Sequence, residues 1–329
     1  MRRGLAFAIC LLAVSACRVT DMRLWGPVGK PDADACAVAY IRDITYYDGP
    51  QAHPLKHRLD LYIPQGKKDY PVAVVVHGGA WILGDNRCCG LYSSVGEALA
   101  RQGIGAVLPN YRLSPGVKHP EHAKDVARAV AWTKNNIAKQ GGDPRRLYLV
   151  GHSAGGHLVA LLATDESYLR AEGCTIDDIK GVVGVSGVYR IPNGNAEVLL
   201  GGSSELALRL DEMFPMRGNG MRHGPEHLPG RPISINIFGP AFGDDPHTRL
   251  AASPVHHIRP GLPPFLLFNP QKELPLLPGM AEEMHETLRK HGCASVHATI
   301  ENRNHNSLFF KAAEPGDPIG RAIVEFIRR

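Results

Sequence analysis

Apolar residues along the chain fall into short unbroken runs separated by longer stretches in which they recur every three or four positions. Val72–Val76 and Ile104–Leu108 are continuous apolar runs, and runs this short, bounded by turn residues, predict strands buried on both faces. Arg146–Val150, Gly181–Ser186, Phe265–Phe268 and Ser295–Glu301 read as further strands. Two more are expected near Val38–Tyr46 and Arg58–Tyr62, the second closed by Pro64. Helical spacing marks Leu91–Gln102, Glu121–Gln140, Met280–His291 and about Gly320–Ile327, where one stripe of the helix is apolar and the other faces polar. The Glu121–Gln140 stretch carries Val126, Ala129, Val130, Trp132 and Ile137, and Gly141-Gly142 stops it. Strands alternating with helices predict an α/β fold with a mostly parallel central sheet and helices on both faces. In such sheets ligands bind at the carboxyl ends of the strands.

One stretch breaks the alternation. Tyr189–Arg249 is rich in Gly, Pro, His and Met, with only a weak helical signal at Leu206–Met213. A segment this long without regular structure inside a domain is expected to be functional, and about 189–249 reads as a cap inserted over the site.

The first residues stand apart in a different way. Arg2 and Arg3 precede an apolar segment, Leu5–Ser15, and the small residues Val14-Ser15-Ala16 lead to Cys17. About 11 apolar residues are too few to span a bilayer as a helix, which needs roughly 20, so residues 1–17 read as a secretory signal peptide. The ending resembles a bacterial lipobox, which implies lipidation of Cys17 and an extracytoplasmic, membrane-anchored protein. Residues 18–37, rich in Pro, Gly and Asp, read as the tether to a domain spanning 38–329. Beyond the signal segment lie Cys36, Cys88, Cys89, Cys174 and Cys293. That number is odd, and none has the spacing of a metal site, so no metal or cofactor is expected.

Composition adds little beyond this. The 329 residues are 44% hydrophobic and 21% charged, ordinary for a chain that buries a sizeable core. The net charge of +5 is scattered without a Lys/Arg run or a basic-aromatic stripe, so nucleic acid is not an expected partner.

The chemistry gathers around Gly151-His152-Ser153-Ala154-Gly155, a G-x-S-x-G between the Arg146–Val150 strand and a helical run to Asp165. In strand–turn–helix context the glycines allow a sharp turn that lifts the serine hydroxyl above the sheet edge. A serine hydroxyl needs a base, an acid to orient the base, and donors for an oxyanion. Among the sixteen histidines, His285 and His291 fall on a helix and His297 within a strand. His305 lies in a polar loop after the last strand, at the carboxyl edge, and is the expected base. The loop after Phe265–Phe268 holds one carboxylate, Glu273, the expected acid; Asp244 and Asp245 are its rivals. The oxyanion donors are expected from the amide of Ala154 and from Gly78 and Gly79, which follow the Val72–Val76 strand.

Taken together, His77-Gly78-Gly79-Ala80-Trp81 with Gly84-Asp85, Asn110-Tyr111-Arg112, Gly151–Gly156 and Asn304-His305 resemble the esterase branch of the α/β-hydrolase superfamily. The nearest kin are the hormone-sensitive-lipase-like carboxylesterases and the kynurenine-formamidase-like group. The resemblance spans roughly Tyr40 to the C-terminus. It implies the α/β-hydrolase fold, Ser153 as nucleophile, His305 as base, and the amides of Gly78, Gly79 and Ala154 as oxyanion donors. It further implies that Asp85, Tyr111 and Arg112, beside His77, brace the oxyanion loop. Trp81 is expected to shape the substrate pocket. In two places the chain departs from the pattern. The acid loop begins Asn269-Pro270 and offers Glu, where the family usually carries His-Gly or Tyr-Gly and Asp. The oxyanion motif reads Gly-Gly-Ala-Trp.

The expected activity is hydrolysis of a small-molecule carboxylic ester through a Ser-His-Glu triad and an acyl-enzyme. The alternatives are the same machinery acting on an aryl formamide or amide, and a non-catalytic binding lipoprotein on the same fold.

Overall fold

The computed structural model describes residues 35–193, 198–200, 233–235 and 238–329. Elements follow in chain order: β1 (Val38–Thr45), β2 (Arg58–Pro64), β3 (Tyr70–Val76), α1 (Leu91–Arg101), β4 (Gly105–Pro109), α2 (Glu121–Asn136), β5 (Gly142–His152), α3 (Ala154–Thr164), α4 (Ser167–Ala171) and β6 (Ile179–Val185). After them come β7 (Val198–Leu200), β8 (Ile233–Ile235), α5 (Gly239–Phe242), α6 (Pro246–Ala251), β9 (Phe265–Lys272), α7 (Leu277–Lys290), β10 (Ser295–Asn304), α8 (His305–Phe310) and α9 (Pro318–Arg328).

Eight strands form one sheet in the order β1-β2-β4-β3-β5-β6-β9-β10. From β4 to β10 every neighbour pair is parallel, while β2 runs antiparallel to both β1 and β4. The valine run explains why the sheet is covered twice. Val72, Val74 and Val76 point into one buried cluster and Ala73 and Val75 into the other, the two-residue alternation of a strand with core on each face. The first cluster takes Val126 and Val130 of α2, Leu158 and Leu162 of α3, and Met280, Met284 and Leu288 of α7. The second takes Val95 and Leu99 of α1 and Ile319, Ile323 and Ile327 of α9. Those three isoleucines recur every four residues, so one stripe of α9 meets the sheet, each burial stabilising by roughly 1.5–3 kcal/mol.

Element ends moved in ways that local pairing explains. β5 begins at Gly142 rather than Arg146, because Gly142 pairs with Tyr70 of β3. The last turn expected of α2 is a 3-10 turn over Ile137–Gln140, ended by Gly141 at φ 91°. β10 runs on to Asn304, and His305 is the first residue of α8 rather than a mid-loop residue.

The insertion expected over 189–249 lies partly outside the described residues, as does its weak helix at Leu206–Met213. Within the described part, β7 and β8 pair antiparallel, so regular structure is present where little was expected. Residues 1–17 and nearly all of the tether also lie outside the described residues.

Candidate active site

Ser153 sits between the end of β5 and the start of α3 with φ 54° and ψ −120°, a conformation non-glycine residues rarely adopt and one that marks sites where strain is held by the surroundings. Its own N–H donates to the Val185 carbonyl of β6 at 2.9 Å, and His157 N–H donates back to the Ser153 carbonyl at 3.1 Å. The turn is tight enough to forbid side chains on either flank. A Cβ on Gly151 would lie 2.3 Å from the Gly155 carbonyl oxygen, and one on Gly155 would lie 2.1 Å from that of Val76. The glycines therefore let the elbow press against the ends of β3 and α3.

His305 and Glu273 meet because of register. The last paired residues of β10 and β9 are Asn304 and Lys272, so the next residue on each strand is His305 and Glu273. Ile300 pairs with Pro270, which leaves three residues of β10 to be absorbed against one of β9. The excess is taken up in a bulge where Asn302 has φ 57°. His305 Nδ1 lies 2.7 Å from Glu273 Oε1, with the two side chains 6% and 1% exposed.

Glu273 is held from every side. Leu274 N–H donates to Oε1 at 2.8 Å and Asn269 Nδ2 to Oε2 at 3.1 Å, while His297 Nε2 faces Asn269 Oδ1 at 3.1 Å and fixes that amide's orientation. Burial alone would raise the Glu273 carboxyl, but the hydrogen bond and charge of His305, together with further hydrogen bonds that include the Leu274 N–H, hold it below the usual range. An ionised Glu273 makes His305 carry its proton on Nδ1, leaving Nε2 as the lone-pair nitrogen.

The loop after β3 lies against the elbow: a Cβ on Gly78 would stand 3.0 Å from the Ser153 Cβ. Ala154 begins α3, where a helix N–H has no intrahelical acceptor, and Gly79 has φ 116°. Gly78 departs from expectation, since its N–H already donates to the Tyr92 hydroxyl at 2.7 Å. Trp81 departs as well. It is 1% exposed, packs against Phe238 and Phe242, and donates from Nε1 to His157 Nδ1 at 3.2 Å. Its large ring fills core rather than lining an open pocket.

Of the residues expected to brace that loop, Tyr111 touches it. The Tyr111 hydroxyl donates to the His77 carbonyl at 3.0 Å, and its ring stacks on His77 at 4.3 Å. Arg112 is buried against Asp125 and Glu121 of α2. Asp85 Oδ1 accepts from Arg87 N–H in the following turn. The rival acids are elsewhere: Asp244 pairs with Arg249 at 3.0 Å, and Asp245 caps α6.

Known proteins resemble this chain in sequence and in fold. The family model BD-FAE matches residues 59–192. A probable isoprenylcysteine alpha-carbonyl methylesterase, ICMEL1, from Arabidopsis thaliana is 28% identical over 291 residues, 86% of this chain and 53% of that protein. Esterase LipQ of Mycobacterium tuberculosis is 27% identical over 305 residues, 86% of this chain and 64% of that protein. A phosphonate-inhibited esterase B from Lactobacillus rhamnosis superposes with a TM-score of 0.68 at 18% identity, covering 98% of this chain and 94% of that one. The chain has the α/β-hydrolase fold. Its relatives by sequence and by fold carry the names of esterases, though it spans only between about half and two thirds of the length of those two sequence relatives.

Three polar residues of the site went unread in the sequence. Asn269, noted there only as a departure from the family's loop, orients Glu273. Tyr92 and His152 form a buried hydrogen-bonded pair beside the elbow. Nothing in the helical spacing of Leu91–Gln102 separates Tyr92 from an ordinary core aromatic.

Proposed function

We propose that the protein hydrolyses carboxylic esters through an acyl-enzyme on Ser153. Ser153 Oγ attacks the ester carbonyl carbon while His305 Nε2 takes the hydroxyl proton. The tetrahedral oxyanion accepts hydrogen bonds from the amides of Gly79 and Ala154, where losing one such donor typically costs about 10²–10³ in kcat. Collapse breaks the bond to the leaving alcohol, which departs with the proton from His305. Water then repeats the sequence on the acyl-enzyme and releases the carboxylic acid. Throughout, Glu273 holds the imidazole tautomer and stabilises the imidazolium. The observation that carries this reading is the 2.7 Å contact of His305 Nδ1 with a buried Glu273 at the strand ends that also present the Ser153 elbow.

The substrate class is a small ester, in keeping with the methylesterase and esterase names of the relatives. Hydrolysis of p-nitrophenyl acetate, butyrate and octanoate, set beside an aryl formamide, tests it. The ester series is expected to turn over and Ser153→Ala to abolish it; turnover of the formamide alone would reassign the activity to amides.

Residues 1–37 complete the proposal from sequence alone: Cys17 is lipidated, and the domain stands outside the cytoplasm on a short tether. Incorporation of an alkyne-tagged fatty acid that disappears in Cys17→Ser is the expected result, and an untagged mature protein would rule the anchor out.

A further inference from the structure

Behind the elbow, three buried hydrogen bonds run in one line. Gly78 N–H meets the Tyr92 hydroxyl at 2.7 Å, the Tyr92 hydroxyl meets His152 Nδ1 at 2.9 Å, and His152 Nε2 meets the His305 carbonyl at 2.9 Å. The direction of every bond follows from its ends. A backbone carbonyl only accepts, so His152 carries its proton on Nε2 and donates. Burial drives the His152 imidazolium down to about 3, helped by the neighbouring His305, so the ring is neutral and its Nδ1 must accept. Tyr92 therefore donates to His152, and its oxygen lone pair receives the Gly78 N–H. No member has a second way to satisfy its partners.

The line is also packed in place. The His152 ring stacks on Phe309 with centroids 5.2 Å apart and 11° between planes, and Tyr92 lies edge-on to Phe310 at 5.3 Å. Its two ends are the loop that carries Gly79 and the backbone of the residue that carries the base. We propose that Tyr92 and His152 are positioning residues that fix the oxyanion loop relative to His305 through this single directed chain of hydrogen bonds. Tyr92 touches none of the reacting atoms, and besides its bond to the His305 carbonyl His152 meets the base only by ring packing, with centroids 5.0 Å apart. The chain holds Gly78 so that the next amide, Gly79, faces the site, and it holds the His305 backbone so that Nδ1 meets Glu273 and Nε2 faces Ser153. The kinetic consequence rests on the esterase reading above; the hydrogen-bond directions do not.

Breaking the chain is expected to misplace the loop and base without altering the binding surface. Tyr92→Phe and His152→Leu are each expected to lower kcat on p-nitrophenyl acetate by about 10- to 100-fold, with KM unchanged. Because both cut one chain, the double variant is expected to lose no more than the worse single one. His152→Gln is the rescue: its amide oxygen accepts from Tyr92 and its NH₂ donates to His305, so it is expected to restore what His152→Leu loses. Wild-type kcat in Tyr92→Phe, or an increase because the Gly78 amide has been released to the oxyanion, overturns the proposal. So does a His152→Gln as impaired as His152→Leu, or additive losses in the double variant. A second readout needs no turnover: ¹⁵N–¹H correlation of the imidazoles is expected to place the His152 proton on Nε2 in the wild type at neutral pH. A proton on Nδ1 overturns the chain, and inactivity of the wild type toward every ester, with the Nε2 tautomer found, discards the esterase reading alone.

Discussion

Glu273→Gln removes one charge and changes almost no volume, and the geometry around it makes its consequence calculable. Glu273 Oε1 receives His305 Nδ1 and Leu274 N–H, while Oε2 receives the Asn269 amide nitrogen at 3.1 Å. A glutamine with its oxygen at the Oε1 position would set its own NH₂ against that of Asn269, two donors facing each other. Turning the glutamine over sets its NH₂ against Leu274 N–H and forces His305 to accept at Nδ1, which leaves Nε2–H pointing at Ser153 and no base. Asn269 can turn instead only if His297, which faces its oxygen, takes the tautomer that accepts at Nε2. Either arrangement also lacks the carboxylate that stabilises the imidazolium. The expected loss in kcat is about 10²–10⁴, equivalent to roughly 3–5 kcal/mol at about 1.36 kcal/mol per decade. Steady-state hydrolysis of p-nitrophenyl acetate measures it, with Asp244→Asn beside it as a variant expected to keep full activity. The double variant Glu273→Gln/Asn269→Asp gives the glutamine NH₂ an acceptor, and is expected to recover part of the loss by restoring the tautomer. A Glu273→Gln enzyme within about threefold of wild type, far below the decades expected of a triad acid, would refute the assignment, and a large loss in Asp244→Asn would redirect it.

Acid is expected to unfold the domain well above the range in which carboxylates titrate. Burial lowers His77 and His122 to about 4 and His152 and His157 to about 3, whereas in the unfolded chain a histidine titrates near about 6.5. The unfolded state therefore binds more protons as pH falls below about 6.5, and each such histidine removes on the order of 1 kcal/mol of stability per pH unit until its folded value is reached. Glu273 adds to this only below about 4.5, where the unfolded carboxyl takes up a proton while the native one, held lower, stays ionised. Urea midpoints between pH 7 and 4.5 test this, and a midpoint that is flat over that range would contradict it. Trp81→Phe is expected to act on stability rather than substrate: it vacates core volume beside Phe242 and leaves the buried His157 Nδ1 without its donor. A cost of about 1–3 kcal/mol in unfolding with KM unchanged is the expected pattern; a large change in KM with full stability would return Trp81 to the substrate pocket.

Much of the fold was legible because each strand carries its own signature. The Val72–Val76 and Ile104–Leu108 runs needed no partner to be read as buried on both faces, and the elbow glycines announce a turn that Ser153 could not make alone. Long-range contacts were a different matter. The bulge at Asn302 that brings His305 into step with Glu273 is set by pairing with β9, and no local pattern within Ser295–Glu301 records it. Gly78 looked like a free donor because a Gly-Gly turn says nothing of the Tyr92 hydroxyl that approaches from α1, fourteen residues on. Trp81 looked like a pocket wall for a similar reason: its partners Phe238, Phe242 and His157 are far away in sequence. Backbone-driven features were readable from the chain, while the destination of a single polar or aromatic side chain was not.

The most direct test of Ser153 as nucleophile is covalent. Wild-type protein treated with a fluorophosphonate and mapped by peptide mass spectrometry is expected to carry one phosphonyl adduct, on the peptide containing Ser153, with matching loss of ester hydrolysis. The adduct should vanish in Ser153→Ala and form far more slowly in His305→Ala. An adduct on another serine, or ester turnover that survives in Ser153→Ala, would contradict the account.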